Sequence, residues 1–222
     1  MFINEILTEF SHTSSKIDAI LRKKGYKRLG AGVDQSAYLE PDTGLVLKIF
    51  GTQGNNKGFS SDQKMFFNWY EYCTANKGNQ FLPDFYGHET FTFGDEGDRY
   101  LQIRAERLFP LSDRPLARAI EDFANRVEHG AKLEQIIRKT IDKGSYAHHS
   151  QSNKLDIRAE PGDDTAMLLV NLGEAGVVQL YHTIRDLVKI ARRKGYRVDL
   201  HSGNFMLGSD SHIVVNDPWV VD

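Results

Sequence analysis

The feature that most constrains the fold is a change of texture near Pro110. Before it, short runs of β-branched and aromatic residues alternate with glycine, proline and aspartate turns. After it, apolar residues recur every three or four positions for most of the chain. Strands gathered in one half and helices in the other predict an α+β protein rather than an alternating α/β one. The division falls between residues 1–108 and 109–222, with the linking stretch at Ala105–Pro110.

The expected elements follow from that reading. Ile3–Phe10 and Ile17–Leu21 carry helical spacing, and Gly25 ends the second helix. Tyr26–Gly32, Ser36–Glu40 and Leu45–Phe50 are strands, the last two joined by the turn Pro41-Asp42-Thr43-Gly44. Gly51–Ser60 is a polar glycine-rich loop, and Ser61–Ala75 a helix. Phe85–Phe93 and Arg99–Leu108 are strands around an acidic turn at 94–98. Arg114–Glu128, Ala131–Asp142 and Ala166–Lys194 are helices, the last interrupted near Gly173 and Gly176. Gly144–Asp163 is a polar loop, and Phe205–Leu207 and Ile213–Val215 form a closing hairpin.

Composition removes several function classes. The 222 residues carry 28 Lys and Arg against 30 Asp and Glu, so no basic surface is expected for direct nucleic-acid binding. Cys73 is the only cysteine, which excludes an intrachain disulfide and a cysteine-rich zinc site. Its place on a helix predicts a buried apolar residue. No apolar run approaches the ~20 residues of a membrane span, and no basic-then-apolar leader opens the chain. The expected compartment is the cytoplasm.

The chemistry gathers near the end. Asp199-Leu200-His201-Ser202-Gly203-Asn204 is followed by Asp217-Pro218-Trp219, which spaces two carboxylates and an amide five and thirteen residues apart. Phosphoryl transfer uses such a set: one carboxylate orients the attacking hydroxyl, while an amide oxygen and a second carboxylate hold a metal on the nucleotide phosphates. In the first half, Gly30-Ala31-Gly32 leaves a turn free to approach phosphates closely. Lys48 stands alone in the apolar run Val46-Leu47-Lys48-Ile49-Phe50, where an amine needs an anionic partner. Glu71 on the Ser61–Ala75 helix is the expected carboxylate for it, with Asp62 as the alternative or as a helix cap. The linking stretch offers the Glu106 carbonyl and the Leu108 N–H to the edge of an adenine.

These residues resemble the protein-kinase-like superfamily over about residues 20–222. Asp-Leu-His-Ser-Gly-Asn with a later Asp-Pro, and Lys24-Gly25-Tyr26-Lys27-Arg28-Leu29-Gly30-Ala31-Gly32, are most similar to the early-gene serine/threonine kinases of T7-like bacteriophages. The resemblance implies a two-lobe fold with an antiparallel-sheet N-lobe and a truncated helical C-lobe. It implies ATP and Mg²⁺ as cofactors and a host protein as substrate or partner. Asp199 would be the catalytic aspartate, Asn204 and Asp217 the metal ligands, and Lys48 the α/β-phosphate contact. Gly30 and Gly32 would cover the nucleotide, and His201 stands where a phosphate-contacting lysine is usual.

The sequence also departs from that pattern. Arg197-Val198 replaces the His-Arg before the aspartate, and Pro218-Trp219 replaces Phe-Gly. Gln35 or Ser36 stands in place of the third loop glycine. Five residues follow Asp217, so an activation segment and an Ala-Pro-Glu motif fall outside this sequence. Asp-Leu-His is shared with aminoglycoside-type phosphotransferases, which keeps a small-molecule acceptor open. The departures also leave open a pseudokinase that docks on host machinery.

Overall fold

The computed structural model describes residues 14–31, 35–51, 60–93, 98–142 and 164–221. The expected helix at Ile3–Phe10, Gly32, the polar loop over 52–59, the acidic turn over 94–97 and the loop over 144–163 lie outside the described residues. The fold is α+β, with a five-stranded antiparallel sheet and several helices.

Helix α1 (Ser14–Lys23) leads into that sheet. Ile17, Ile20 and Leu21 share its buried face, and Asp18 pairs with Arg22 one turn later at 2.9 Å. Gly25 then takes φ +85°, the left-handed conformation that ends a helix with least strain on glycine. Strands β1 (Lys27–Ala31), β2 (Gln35–Leu39), β3 (Val46–Gly51), β4 (Phe85–Phe93) and β5 (Asp98–Ala105) form the sheet in the order β1-β2-β3-β5-β4. β3 is therefore central, and its pleat sorts its residues between two faces. Leu47 and Ile49 pack with α1, Tyr26, Tyr38 and Tyr100. Phe50 joins the main core on the other side, and Lys48, two residues before it, has the same parity.

Helix α2 (Ser61–Ala75) covers that second face. Ser60, rather than Asp62, caps it: Ser60 Oγ accepts from Gln63 N–H, and Gln63 Oε1 accepts from Ser60 N–H. The chain continues through β6 (Phe109–Pro110), α3 (Arg114–Glu128), α4 (Leu133–Asp142) and α5 (Asp164–Lys194). α5 is broken at Gly173, whose φ of 69° and ψ of 171° are not helical. A two-strand ribbon of β7 (Arg197–Val198) and β10 (Trp219–Val220) encloses a 3₁₀ turn (Ser202–Asn204), β8 (Phe205–Leu207) and β9 (Ile213–Val215).

The main core crosses the expected division at residue 108. It joins Phe66, Trp69 and Cys73 of α2 to Ile120 and Phe123 of α3, Leu180 and Leu187 of α5, and Trp219 of the tail. Burial of a side chain such as Phe123, which is 0% exposed, is worth roughly 1.5–3 kcal/mol. Trp69 and Trp219 meet edge to face with ring centres 5.6 Å apart, and Trp219 Nε1–H donates to the Leu187 carbonyl. The expected link at Ala105–Pro110 is itself tied down: Phe109–Pro110 pairs with Met206–Leu207 of β8.

Burial raises the phenol pKa of Tyr26, Tyr38 and Tyr72, and the Glu40 charge adds to the shift at Tyr26. In each case the unfolded chain ionises first, from about pH 10 upward. The stability these neutral phenols contribute is thus complete below about pH 10 and is lost as pH climbs towards the folded-state values. Urea unfolding from pH 9 upward (set on the ~10 of a free phenol) is expected to show a falling midpoint. The fall is expected to be shallower in Tyr72→Phe, and an identical slope would refute the assignment to that phenol.

Candidate active site

The ribbon of β7 and β10 explains why distant acids meet. Val198 pairs with Trp219 and Arg197 with Val220, so the chain leaves one strand at Asp199 and enters the other from Asp217. Asp199 N–H donates to the Pro218 carbonyl at 2.8 Å, which closes the junction. Asn204 sits between the two acids. Its Nδ2 donates to the Asp199 carbonyl at 2.7 Å, to Asp199 Oδ2 at 3.3 Å and to the Asp217 carbonyl at 3.2 Å. Three acceptors around the amide nitrogen fix the side chain's sense, which reserves Oδ1 for another partner.

Asp217 is held in an uncommon backbone state. Its φ is 45°, in the left-handed region, which costs a non-glycine residue about 1–2 kcal/mol. Its carbonyl is bound by Asn204, its Oδ2 by Asn216 Nδ2 at 3.1 Å, and its Oδ1 by Lys48 Nζ at 3.4 Å. Strain of this kind persists where surrounding contacts over-determine it, and such positions cluster at functional sites.

Lys48 answers the cost of an amine inside a sheet in two ways. The side chain is 15% exposed, its ammonium pairs with Asp217, and it lies 4.6 Å above the ring centre of Phe66. Glu71 does not take part in this pairing. Asp62, Met65, Phe66 and Trp69 recur at i, i+3, i+4 and i+7 along the inner stripe of α2, whereas Glu71 lies about 200° round from Trp69 and is exposed. Helix phase thus overturns the expected Glu71 pairing. The carboxylate on the correct stripe is Asp62.

Asp62, Asp199, Asn204 and Asp217 line one cavity of ≈ 240 Å³, with Gln35 and Pro218 also on its wall. Phe50, Phe66, Trp69 and Trp219 form its apolar side. Among the described residues its lining holds three carboxylates, and the Lys48 ammonium lies against one of them, Asp217. Among the described residues no three His, Cys, Asp or Glu side chains gather as a metal site.

His201 stands beside Asp199, with Nε2 3.8 Å from Asp199 Oδ2. Its Nδ1 accepts the Gly203 N–H at 3.0 Å, which fixes the ring proton on Nε2, towards the acid. From α3, Glu121 Oε2 accepts the Ser202 N–H at 3.0 Å.

Other expected site residues lie elsewhere. Gly30 is in β1, paired with Ala37, and does not border the cavity. Glu106 is buried and doubly tied to Asp84: its N–H donates to the Asp84 carbonyl and its Oε1 accepts the Asp84 N–H. That side chain is a structural clamp. Neither Glu106 nor Leu108 borders the cavity, whose volume is below the roughly 300–1,000 Å³ of drug-sized ligand sites. Cys73 is buried as expected, and burial holds its thiol well above its ordinary range.

Gln35 and the two tryptophans were not legible as site residues, and Asp62 was named only as the alternative to Glu71. For Asp62 the signal was its helical register with Phe66 and Trp69. For the tryptophans it was only that the chain has two. Compared with known proteins, the sequence matches no family model and no curated protein.

A Cβ on Gly203 would lie 2.7 Å from His201 Cε1, too close for the ring to stay. Gly203→Ala is therefore expected to break the Nδ1 contact and free the imidazole from Asp199. Nitrogen NMR of the ring should show the fixed tautomer become a mixture, and an unchanged spectrum would refute the contact.

Proposed function

We propose that this protein is a Mg²⁺- and ATP-dependent phosphotransferase of the protein-kinase-like type, acting on Ser/Thr hydroxyls of proteins. One observation carries the reading. Lys48 from the central strand meets Asp217 from a segment 169 residues later, and Asp217, Asn204 and Asp199 line the same cavity. Burial of Lys48 accounts for one carboxylate beside the amine; the second carboxylate and the oriented amide go beyond that need. Phosphoryl transfer needs all of them. The sheet with α2 on one face and the helices after Pro110 correspond, in this reading, to a small lobe and helices of a large lobe.

The chain's own groups divide the work. Asn204 Oδ1 and the Asp217 carboxylate are the oxygens that would hold Mg²⁺. When bound, the ion would neutralise charge on the phosphates. Lys48 lies at the same carboxylate and adds a second positive charge that a phosphate can share. Asp199 receives the proton of the attacking hydroxyl or orients it, with the His201 ring 3.8 Å from its carboxylate. Catalysis is then largely positioning and charge stabilisation, with the aromatic side of the cavity as a fixed wall. The protein acceptor comes from the resemblance to phage kinases and not from the cavity.

Asp199→Asn is expected to keep Mg²⁺-ATP binding, read by thermal shift, while transfer from γ-labelled ATP falls by about 100-fold or more. The acceptors to test are the chain itself, bacterial lysate proteins and hydroxylated small molecules. Labelling at the wild-type rate would remove Asp199 from its role. Labelled small molecules without labelled protein would reassign the acceptor.

A further inference from the structure

The geometry points to Glu121 as a positioning residue that fixes the loop carrying Asp199 and Asn204. This rests on the phosphotransferase reading. The 3₁₀ turn Ser202–Asn204 begins with three backbone N–H groups, and each has a partner. Gly203 donates to His201 Nδ1 and Asn204 to the His201 carbonyl, both within the loop. Ser202 donates to Glu121 Oε2, 81 residues earlier on α3.

Of these three, the Ser202 bond alone ties the turn to another element of the fold. α3 is a rigid anchor: Ala117, Ile120, Ala124 and their neighbours are buried, and Asp113 caps its start by accepting from Leu116 N–H. The small residues Ala117 and Ala124 fall one turn to either side of Glu121. Leu200, buried at 5% exposure, pins the start of the loop, and Glu121 pins its middle. An acid placed there adds negative charge to a loop that already carries Asp199, so its value lies in holding the backbone.

The test uses Glu121→Met, which removes the acceptor and keeps the volume, and Glu121→Gln, which keeps an accepting oxygen. Glu121→Ala serves if the Met variant does not fold. Amide exchange at Ser202 is read first and needs no nucleotide. Roughly ten-fold or faster exchange in the Met variant, with Glu121→Gln near wild type, is expected from losing one hydrogen bond to a charged acceptor. Unchanged exchange at Ser202 overturns the anchor.

Where the wild type turns over ATP, the half-saturating Mg²⁺ concentration should rise about ten-fold in the Met variant, because Asn204 moves. It should stay within about two-fold for Gln. A wild-type Mg²⁺ dependence with only fewer active molecules overturns the positioning role. If the wild type neither turns over nor binds Mg²⁺-ATP, the phosphotransferase reading fails and the positioning role fails with it. The exchange result then still decides the anchor.

Discussion

An ammonium inside a sheet needs an anion, and here the anion comes from the other end of the chain. Lys48 is on the central strand, on the face covered by α2, where water is scarce and the ring of Phe66 lies beneath the ammonium. The 3.4 Å contact to Asp217 resolves that burden. Much of the architecture can be understood as the means of delivering Asp217 to that point. The β7–β10 ribbon, the Trp69–Trp219 contact and the bond from Trp219 to the Leu187 carbonyl fix the tail against α2 and α5. Breaking a partly buried pair by removing one charge leaves the other uncompensated, so neither residue is replaceable alone.

The tail combines two opposite environments within a few residues. Trp219 is 2% exposed and belongs to the core, while Asp217, two positions earlier, opens on the cavity. Pro218 separates them, and its carbonyl receives the Asp199 N–H. The left-handed turn at Asp217 is the backbone consequence. The chain must swing from a solvent-facing acid to a buried indole, and the Asn204 amide holds it there. Rigid packing on one side thus supplies the positional accuracy that a site of small oxygen ligands requires.

The sequence was legible where the pattern was local. Ser61–Ala75, Phe85–Phe93 and Arg114–Glu128 were readable to the residue, because capping, alternation and three-to-four spacing are written within each segment. The Asp199, Asn204 and Asp217 set was legible because its spacing is short. Pairings that depend on phase or on tertiary choice were not. Glu71 was the first choice of acid and Asp62 the alternative, and only the helix's rotation against β3 reverses that order. Glu106 was read only for its backbone carbonyl, and no local pattern announced that its carboxylate accepts the Asp84 N–H. The two-residue strands Arg197–Val198 and Trp219–Val220 carry too little pattern to be seen at all, although they bring the site together.

The central claim is that Lys48, Asp199, Asn204 and Asp217 surround one metal-bound triphosphate. Mn²⁺-ATP, a paramagnetic stand-in for the magnesium complex, tests it directly by its effect on backbone amide signals. The account expects Asn204 and Asp217 to broaden first, then Lys48 and Asp199, and only when nucleotide and metal are both present. Broadening spread over surface acids such as Glu71 and Asp186, or none in the loop at all, would contradict it.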